Sequence, residues 1–379
     1  MKSALTPLDG WDSTINQDSS KSAPSYSVFV IQLGILAGIF CFLLFVLPPI
    51  VDGVGVILPD EIDPRGQLDL YADSPWAETH FAEFNSLETQ YYDFIGWRRK
   101  AFDGETIHID NDGIRLTTPP PQPSDSAETV FFLGGSVVWG TGSRNEDTIA
   151  SIYSEKTGSW VTNYGESAWI AQQSTNLLLR LFSQGKTVDR VYSMDGANEV
   201  LHKCRTENSA LSGGREQRFR SMINSPKPLT TLYTIRPLLF MVSELKRLIS
   251  ASPDPSTFYD CDTNAEKATQ IARNLVLSWL TSRDLVEAQG GTFTPILQPV
   301  AYLGSPSVAY LPEIKGDSPL GSQFRTVYPI LKRMLNESDL NWLDFTDVFD
   351  QAPEVYIDFC HVLSSGNELL VDRLISGAE

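Results

Sequence analysis

Hydrophobic and polar positions change rhythm several times along the chain. Residues 1–26 are polar, Ser-rich and aperiodic, the pattern of a flexible tail. Phe29 to Val46, FVIQLGILAGIFCFLLFV, is then apolar throughout except for Gln32. As a helix this run reaches about 27 Å, close to a hydrocarbon core of about 30 Å. Residues 27–51 are therefore expected to span a membrane once, with Pro48 and Pro49 ending the helix. A cleaved leader fits less well, because Asp9, Asp12 and Asp18 offset Lys2 and Lys21 and no A-x-A follows. Residues 52–126 are irregular, with aromatic anchors at Trp76, Phe81, Tyr91, Tyr92 and Trp97. Within them TIHIDNDGIRL alternates like a hairpin, with Ile107 and Ile109 on one face and Asn111-Asp112-Gly113 as its turn. The prolines between Thr118 and Pro123 predict a stiff extended connector.

From Thr129 onward the pattern becomes regular. Thr129 to Leu133 (TVFFL) is a short apolar run suited to a strand buried on both faces, and Gly134-Gly135-Ser136 follows it. A helical period begins near Thr148, and a second strand is expected at Trp160 to Asn163. Gln172 to Ser183 predicts a helix that Gly185 ends, and Val188 to Met194 a third strand leading to Asp195-Gly196-Ala197-Asn198-Glu199. After an insertion at 200–262 come a helix (265–287), a strand (292–298), a helix (323–335), a strand (342–345) and a last helix opening near Ser365. Strands alternating with helices imply a parallel sheet covered on both faces, with ligands at the carboxyl ends of the strands.

Composition narrows the partners. Twenty-nine Lys and Arg against 47 Asp and Glu give a formal charge of −18, which argues against a nucleic-acid binder. Four His and four Cys, with no CxxC or HExxH, point to no metal or other cofactor. Lys2 and Lys21 before the apolar run, against only Arg65 soon after it, favour a cytoplasmic N-terminus and an extracytoplasmic bulk. Cys204 and Cys261 flank the insertion and could pair in an oxidising compartment; unrelated thiols fit the sequence equally well.

Six residues from distant parts of the chain fall at one rim of the expected sheet. Ser136 closes the turn after the first strand, Gly165 and Ala168 follow the second, Asn198 follows the third, and Asp358 and His361 share the loop after the last. A serine hydroxyl needs a base to become a nucleophile, and neutral imidazole is the usual one. Of the four histidines, His108 lies in the hairpin segment before the sheet, His80 lies further upstream and His202 is a fallback, while His361 follows the last strand with the Asp358 carboxylate three residues earlier. Backbone N–H groups of Ser136 and of the loop from Gly165 to Ala168, with the Asn198 amide, could cradle an oxyanion. Each piece alone also reads as ordinary structure: a tight strand-to-helix turn, a Gly-Ala-Asn turn, a surface Asp–His pair. Cys360 reads best as a buried small hydrophobe. Trp139 and Trp169 read mainly as packing residues, with sugar stacking as a second option.

Taken in order, FFLGGSVVWGTG, NYGESAWIAQQ, MDGANEV and YIDFCHVLSSGNELL resemble the SGNH (GDSL-type) hydrolase superfamily over 127–379. The resemblance implies an α/β, flavodoxin-like three-layer sandwich with a parallel sheet. It assigns Ser136 as nucleophile, His361 as base, Asp358 as its orienting acid and Asn198 to the oxyanion hole. The sequence departs from the family at Gly135, often Asp there, and at Glu199; the usual oxyanion glycine falls on Ala168, with Gly165 three residues earlier. The organisation expected is tail 1–26, membrane helix 27–51, strand-containing extracytoplasmic extension 52–126 and hydrolase-like domain 127–379. The function expected is a membrane-anchored serine esterase acting on O-acyl, chiefly O-acetyl, esters of cell-surface polysaccharide or on small esters. The competing expectations are an idle envelope-assembly protein that kept the fold, and an O-acyltransferase using the same residues.

Overall fold

The computed structural model describes residues 26–42, 63–122, 127–212 and 258–377. The chain divides into two compact units, residues 1–59 with 227–251 and residues 60–226 with 252–379. Of the first, the described part is helix α1 (Tyr26–Cys41), 16 residues long, whose Ile31, Leu33, Ile35, Leu36, Ile39 and Phe40 side chains are exposed. No helix among the described residues is long and apolar enough to cross a membrane. The expected span of 27–51 is not shown among the described residues, where the helix ends at Cys41 and is about 24 Å long at 1.5 Å per residue. Residues 43–51, the tail 1–25 and most of the insertion lie outside the described residues.

The second unit is built on an all-parallel sheet. In chain order its elements are α2 (Ala77–Ser86), β1 (Thr89–Tyr92), β2 (Gly96–Arg99), β3 (Phe102–Asp103), β4 (His108–Ile109), β5 (Thr129–Gly134), α3 (Ser136–Trp139), α4 (Ile149–Thr157), β6 (Trp160–Asn163), α5 (Ala171–Ser183), β7 (Arg190–Asp195) and α6 (Ala197–Lys203). There follow α7 (Ala265–Glu287), β8 (Thr292–Leu297), α8 (Pro319–Glu337), β9 (Leu343–Asp344) and α9 (Ser364–Gly377). The strands lie in the order β6-β5-β7-β8-β9. The chain reverses its direction of travel across the sheet between β5 and β7, the kind of switch point where a crevice opens beyond the strand ends.

The continuous apolar run of β5 reflects burial on both faces. Val130 and Phe132 pack with Tyr192, Met194, Ile149, Ile152, Leu370 and Leu374, under α4 and α9. Phe131 and Leu133 face the other way, into Leu177, Leu181, Ile271, Leu275 and Phe324 from α5, α7 and α8. Alternating side chains with both directions apolar make a central strand of a covered sheet.

The upstream segment differs from its expected form. Ile107 and Ile109 are both buried, and Gly113 N–H closes a turn on the Asp110 carbonyl. However, the hairpin expected around that turn shrinks to a single bridge between Ile109 and Arg115, and β4 pairs with β3 instead. Arg115 also bridges Asn163, so this segment covers the outer edge of β6. The true hairpin is β1–β2, with Tyr91 opposite Trp97.

Candidate active site

Ser136 stands where β5 ends and α3 begins, at the carboxyl end of a central strand. His361 lies in the short loop before α9, which the Tyr356–Val362 bridge and the Ile357 N–H to His361 carbonyl bond (2.9 Å) hold shut. The two meet across 225 residues, with Ser136 Oγ 2.6 Å from His361 Nε2. His361 Nδ1 is 2.6 Å from Asp358 Oδ2, and Asp358 Oδ1 accepts the backbone N–H groups of Cys360 (3.0 Å) and His361 (2.9 Å). A carboxylate only accepts, so the ring proton sits on Nδ1 and Nε2 is left to accept from the serine hydroxyl.

Burial pushes the Asp358 carboxyl up, but the His361 ring and the two backbone N–H groups outweigh it and hold the group well below the usual carboxylate range. The relay's acid is therefore ionised. Arg65 Nη1 lies 3.6 Å from the same Asp358 Oδ2, while its Nε and Nη2 donate to Asp63 (3.0 and 2.8 Å). Burial and the Asp358 charge push the Cys360 thiol well above its ordinary range, so the neighbouring sulfur stays a buried, protonated thiol.

Donors gather beside Ser136. A Cβ on Gly135 would come 2.5 Å from Asn198 Nδ2, so this position must be glycine for the amide to lie over the turn. Asn198 Nδ2 donates one hydrogen to the Trp169 carbonyl (2.8 Å) and keeps the other. In the second loop, Gly165 N–H already donates to Asn163 Oδ1 (3.1 Å), and the close approach of Gly165 to Trp139 N explains the glycine there. Ala168 N–H has no partner among the described residues. Glu166 to Trp169 form a turn closed by Trp169 N–H on the Glu166 carbonyl (3.2 Å), with Ala168 third at φ +63°. That conformation usually falls to glycine and costs an alanine about 1–2 kcal/mol.

The surrounding residues were not evident from the sequence. Three fully or almost fully buried arginines of the upstream segment grip these loops. Arg115 donates to the carbonyls of Trp139 (3.1 Å), Gly140 (2.6 Å) and Ser143 (2.5 Å); burial, with Arg99 second, lowers its pKa to about 9. Arg98 donates to the carbonyls of Gly113 and Tyr164 (both 3.0 Å). Arg99 donates to Ser167 Oγ (3.0 Å) and stacks on Trp139. Trp139 and Trp169 are buried beneath these guanidiniums, which removes the sugar-stacking option. His80, in α2, is buried between Thr106 and the Thr141 carbonyl, and burial lowers its pKa to about 3. His108 pairs with Asp103, and His202 lies in α6, so neither completes the serine's relay.

Below Asn198, Glu199 accepts from Ala171 N–H (2.6 Å) and Gly196 N–H (3.0 Å), joining the starts of α5 and α6. Cys204, ending α6, forms a disulfide with Cys261. Among the described residues only Asp358, Cys360 and His361 cluster closely enough to ligate a metal, and they are the relay itself.

This is an α/β fold with a parallel sheet and a Ser-His-Asp relay at its carboxyl rim. Neither the protein-family models nor the curated proteins include a match. Solved structures show similarity at the level of overall course. A member of the lipolytic protein G-D-S-L family from Veillonella parvula is 13% identical over 66% of this chain and 97% of its own, with a TM-score of 0.39. Est24, a carbohydrate acetylesterase from Sinorhizobium meliloti, is 13% identical over 66% and 98%, with a TM-score of 0.35. An aryl esterase of M. smegmatis is 13% identical over 66% and 98%, with a TM-score of 0.36.

Proposed function

We propose that this protein is a serine ester hydrolase. The observation that carries the reading is the unbroken relay from Asp358 through His361 to the Ser136 hydroxyl, with both links at 2.6 Å. His361 Nε2 takes the hydroxyl proton as Ser136 Oγ attacks the ester carbonyl, and Asp358 stabilises the imidazolium that forms. Ser136 N–H, Ala168 N–H and Asn198 Nδ2 receive the developing oxyanion. His361 then returns the proton to the leaving alcohol. Water, activated by the same imidazole, releases the acid from the acyl-enzyme.

The finer reading is an enzyme tethered to a membrane by residues 27–51, with the unit carrying the relay outside the cytoplasm. Its supports are the apolar run, Lys2 and Lys21 ahead of it, and the Cys204–Cys261 disulfide, which suits an oxidising compartment. From that location follows the proposed substrate class, O-acetylated cell-surface polysaccharide.

The test compares p-nitrophenyl acetate hydrolysis by the full chain and by Ser136→Ala, with fluorophosphonate labelling and peptide mapping. Expected is a fall of at least about 10³-fold in kcat for the variant and an adduct on Ser136. Equal rates would rule out the serine mechanism. Acetate released from an acetylated glycan, rather than moved to an acceptor sugar, separates hydrolysis from transfer.

A further inference from the structure

Ala168 N–H and the Ser167 carbonyl belong to one planar trans peptide and point in opposite directions, so whatever fixes the carbonyl fixes the N–H. Trp97, on β2 and 2% exposed, donates its indole Nε1–H to that carbonyl at 3.2 Å, from 70 residues upstream. The rest of Ser167 is held as well. Its N–H donates to Glu166 Oε1 (2.7 Å) and its Oγ accepts from Arg99 Nη2 (3.0 Å). Glu166 Oε2 in turn accepts Arg99 N–H (2.9 Å), and Trp169 Nε1 donates to the Trp97 carbonyl (3.0 Å). The loop's one N–H without a partner among the described residues is therefore carried on a peptide clamped from its other side, at an alanine in a left-handed conformation.

We propose that Trp97 is a positioning residue for ester hydrolysis, aiming the Ala168 N–H at the oxyanion by gripping the Ser167 carbonyl. This rests on the esterase reading of the crevice. Without the indole N–H, the central peptide of the turn is free to rotate and let Ala168 leave its left-handed conformation, which withdraws the donor from the transition state. Ground-state binding does not use that donor, so the loss falls on kcat.

The test is a kinetic cycle of Trp97→Phe and Ala168→Gly in the full chain. Trp97→Phe is expected to lower kcat by about 30- to 100-fold with KM within about twofold, at or below the roughly 10²–10³ that removing one oxyanion donor outright costs, because the Ala168 N–H is misaimed and not removed. Glycine at 168 keeps the left-handed conformation at no steric cost, so the double variant is expected to regain about tenfold. Ala168→Gly alone is the reference background of the cycle, against which the second loss caused by Trp97→Phe is read. A purely packing role for Trp97 predicts no such rescue. A folded Trp97→Phe with wild-type kcat, or an equal loss in both backgrounds, would overturn the inference. Should Trp97→Phe fail to fold, the isosteric benzothienylalanine at position 97 removes only the N–H donor, and the same outcomes decide. A wild type inert to ester and probe would instead overturn the esterase reading, and this inference with it.

Discussion

At the scale of single residues, the guanidinium of Arg65 shares Asp358 Oδ2 with the His361 ring. It is matched on its other side by Asp63 and faces Tyr71; burial pulls its own pKa down, but Asp63 and then Asp358 outweigh that and hold it up. Burial pushes the Asp63 carboxyl up, but the Arg65 hydrogen bonds and charge outweigh it and hold the group below its ordinary value. That contribution to stability is present above the ordinary carboxylate range and is lost as pH falls through the lowered value. Arg65→Gln is therefore expected to lower the urea midpoint more at pH 7 than at pH 3, and denaturation at the two pH values checks the sign. At this scale the sequence revealed chemistry but not backbone conformation. Order and residue type singled out Ser136, Asn198, Asp358 and His361, but Gly165 and Ala168 could not be ranked as donors. Their difference lies in one occupied N–H and one positive φ, and neither leaves a mark in residue type.

At the scale of elements, the sheet strands and covering helices could be read in advance because two-sided burial forces apolar runs and helical periods. The upstream segment could not. Trp97-Arg98-Arg99 reads as one apolar and two charged positions, yet all three are buried, because two carbonyls and a serine hydroxyl some 66 to 70 residues away receive their donors. Polar side chains that satisfy distant backbone are invisible to periodicity. Arg115 is the clearest case, holding three carbonyls of the turn after Ser136. Arg115→Met would leave the Trp139 and Ser143 carbonyls without that donor and the Gly140 carbonyl with only the Ser143 N–H, at a cost on the order of 3 kcal/mol. Thermal denaturation is expected to show a midpoint lower by about 5–10 °C. Lys100→Met, at the exposed pair with Glu88, is expected to leave it unchanged.

At the scale of the whole molecule, stability should follow pH through an acid that the chemistry does not use. Asp195, ending β7, is pushed up to about 7, by burial first and by the nearby Glu199 charge second. Ser193 Oγ and Trp279 Nε1 both donate to its Oδ2 (2.6 and 2.9 Å), while Oδ1 has no partner among the described residues. A carboxyl whose pKa is raised on folding contributes stability in full below its ordinary value of 3.8, and that contribution is lost as pH climbs through about 7. Asp195→Asn keeps the acceptor and removes the titration. Its urea midpoint is expected to fall less than wild type's between pH 5 and pH 8. The 225-residue gap between Ser136 and His361 also carries a consequence for biosynthesis. Translation delivers the nucleophile, the hairpin that braces its neighbours and the Asn198 amide long before the imidazole, so a nascent or prematurely terminated polypeptide ending before position 361 holds a latent hydroxyl, and chemistry switches on only when the closing segment docks.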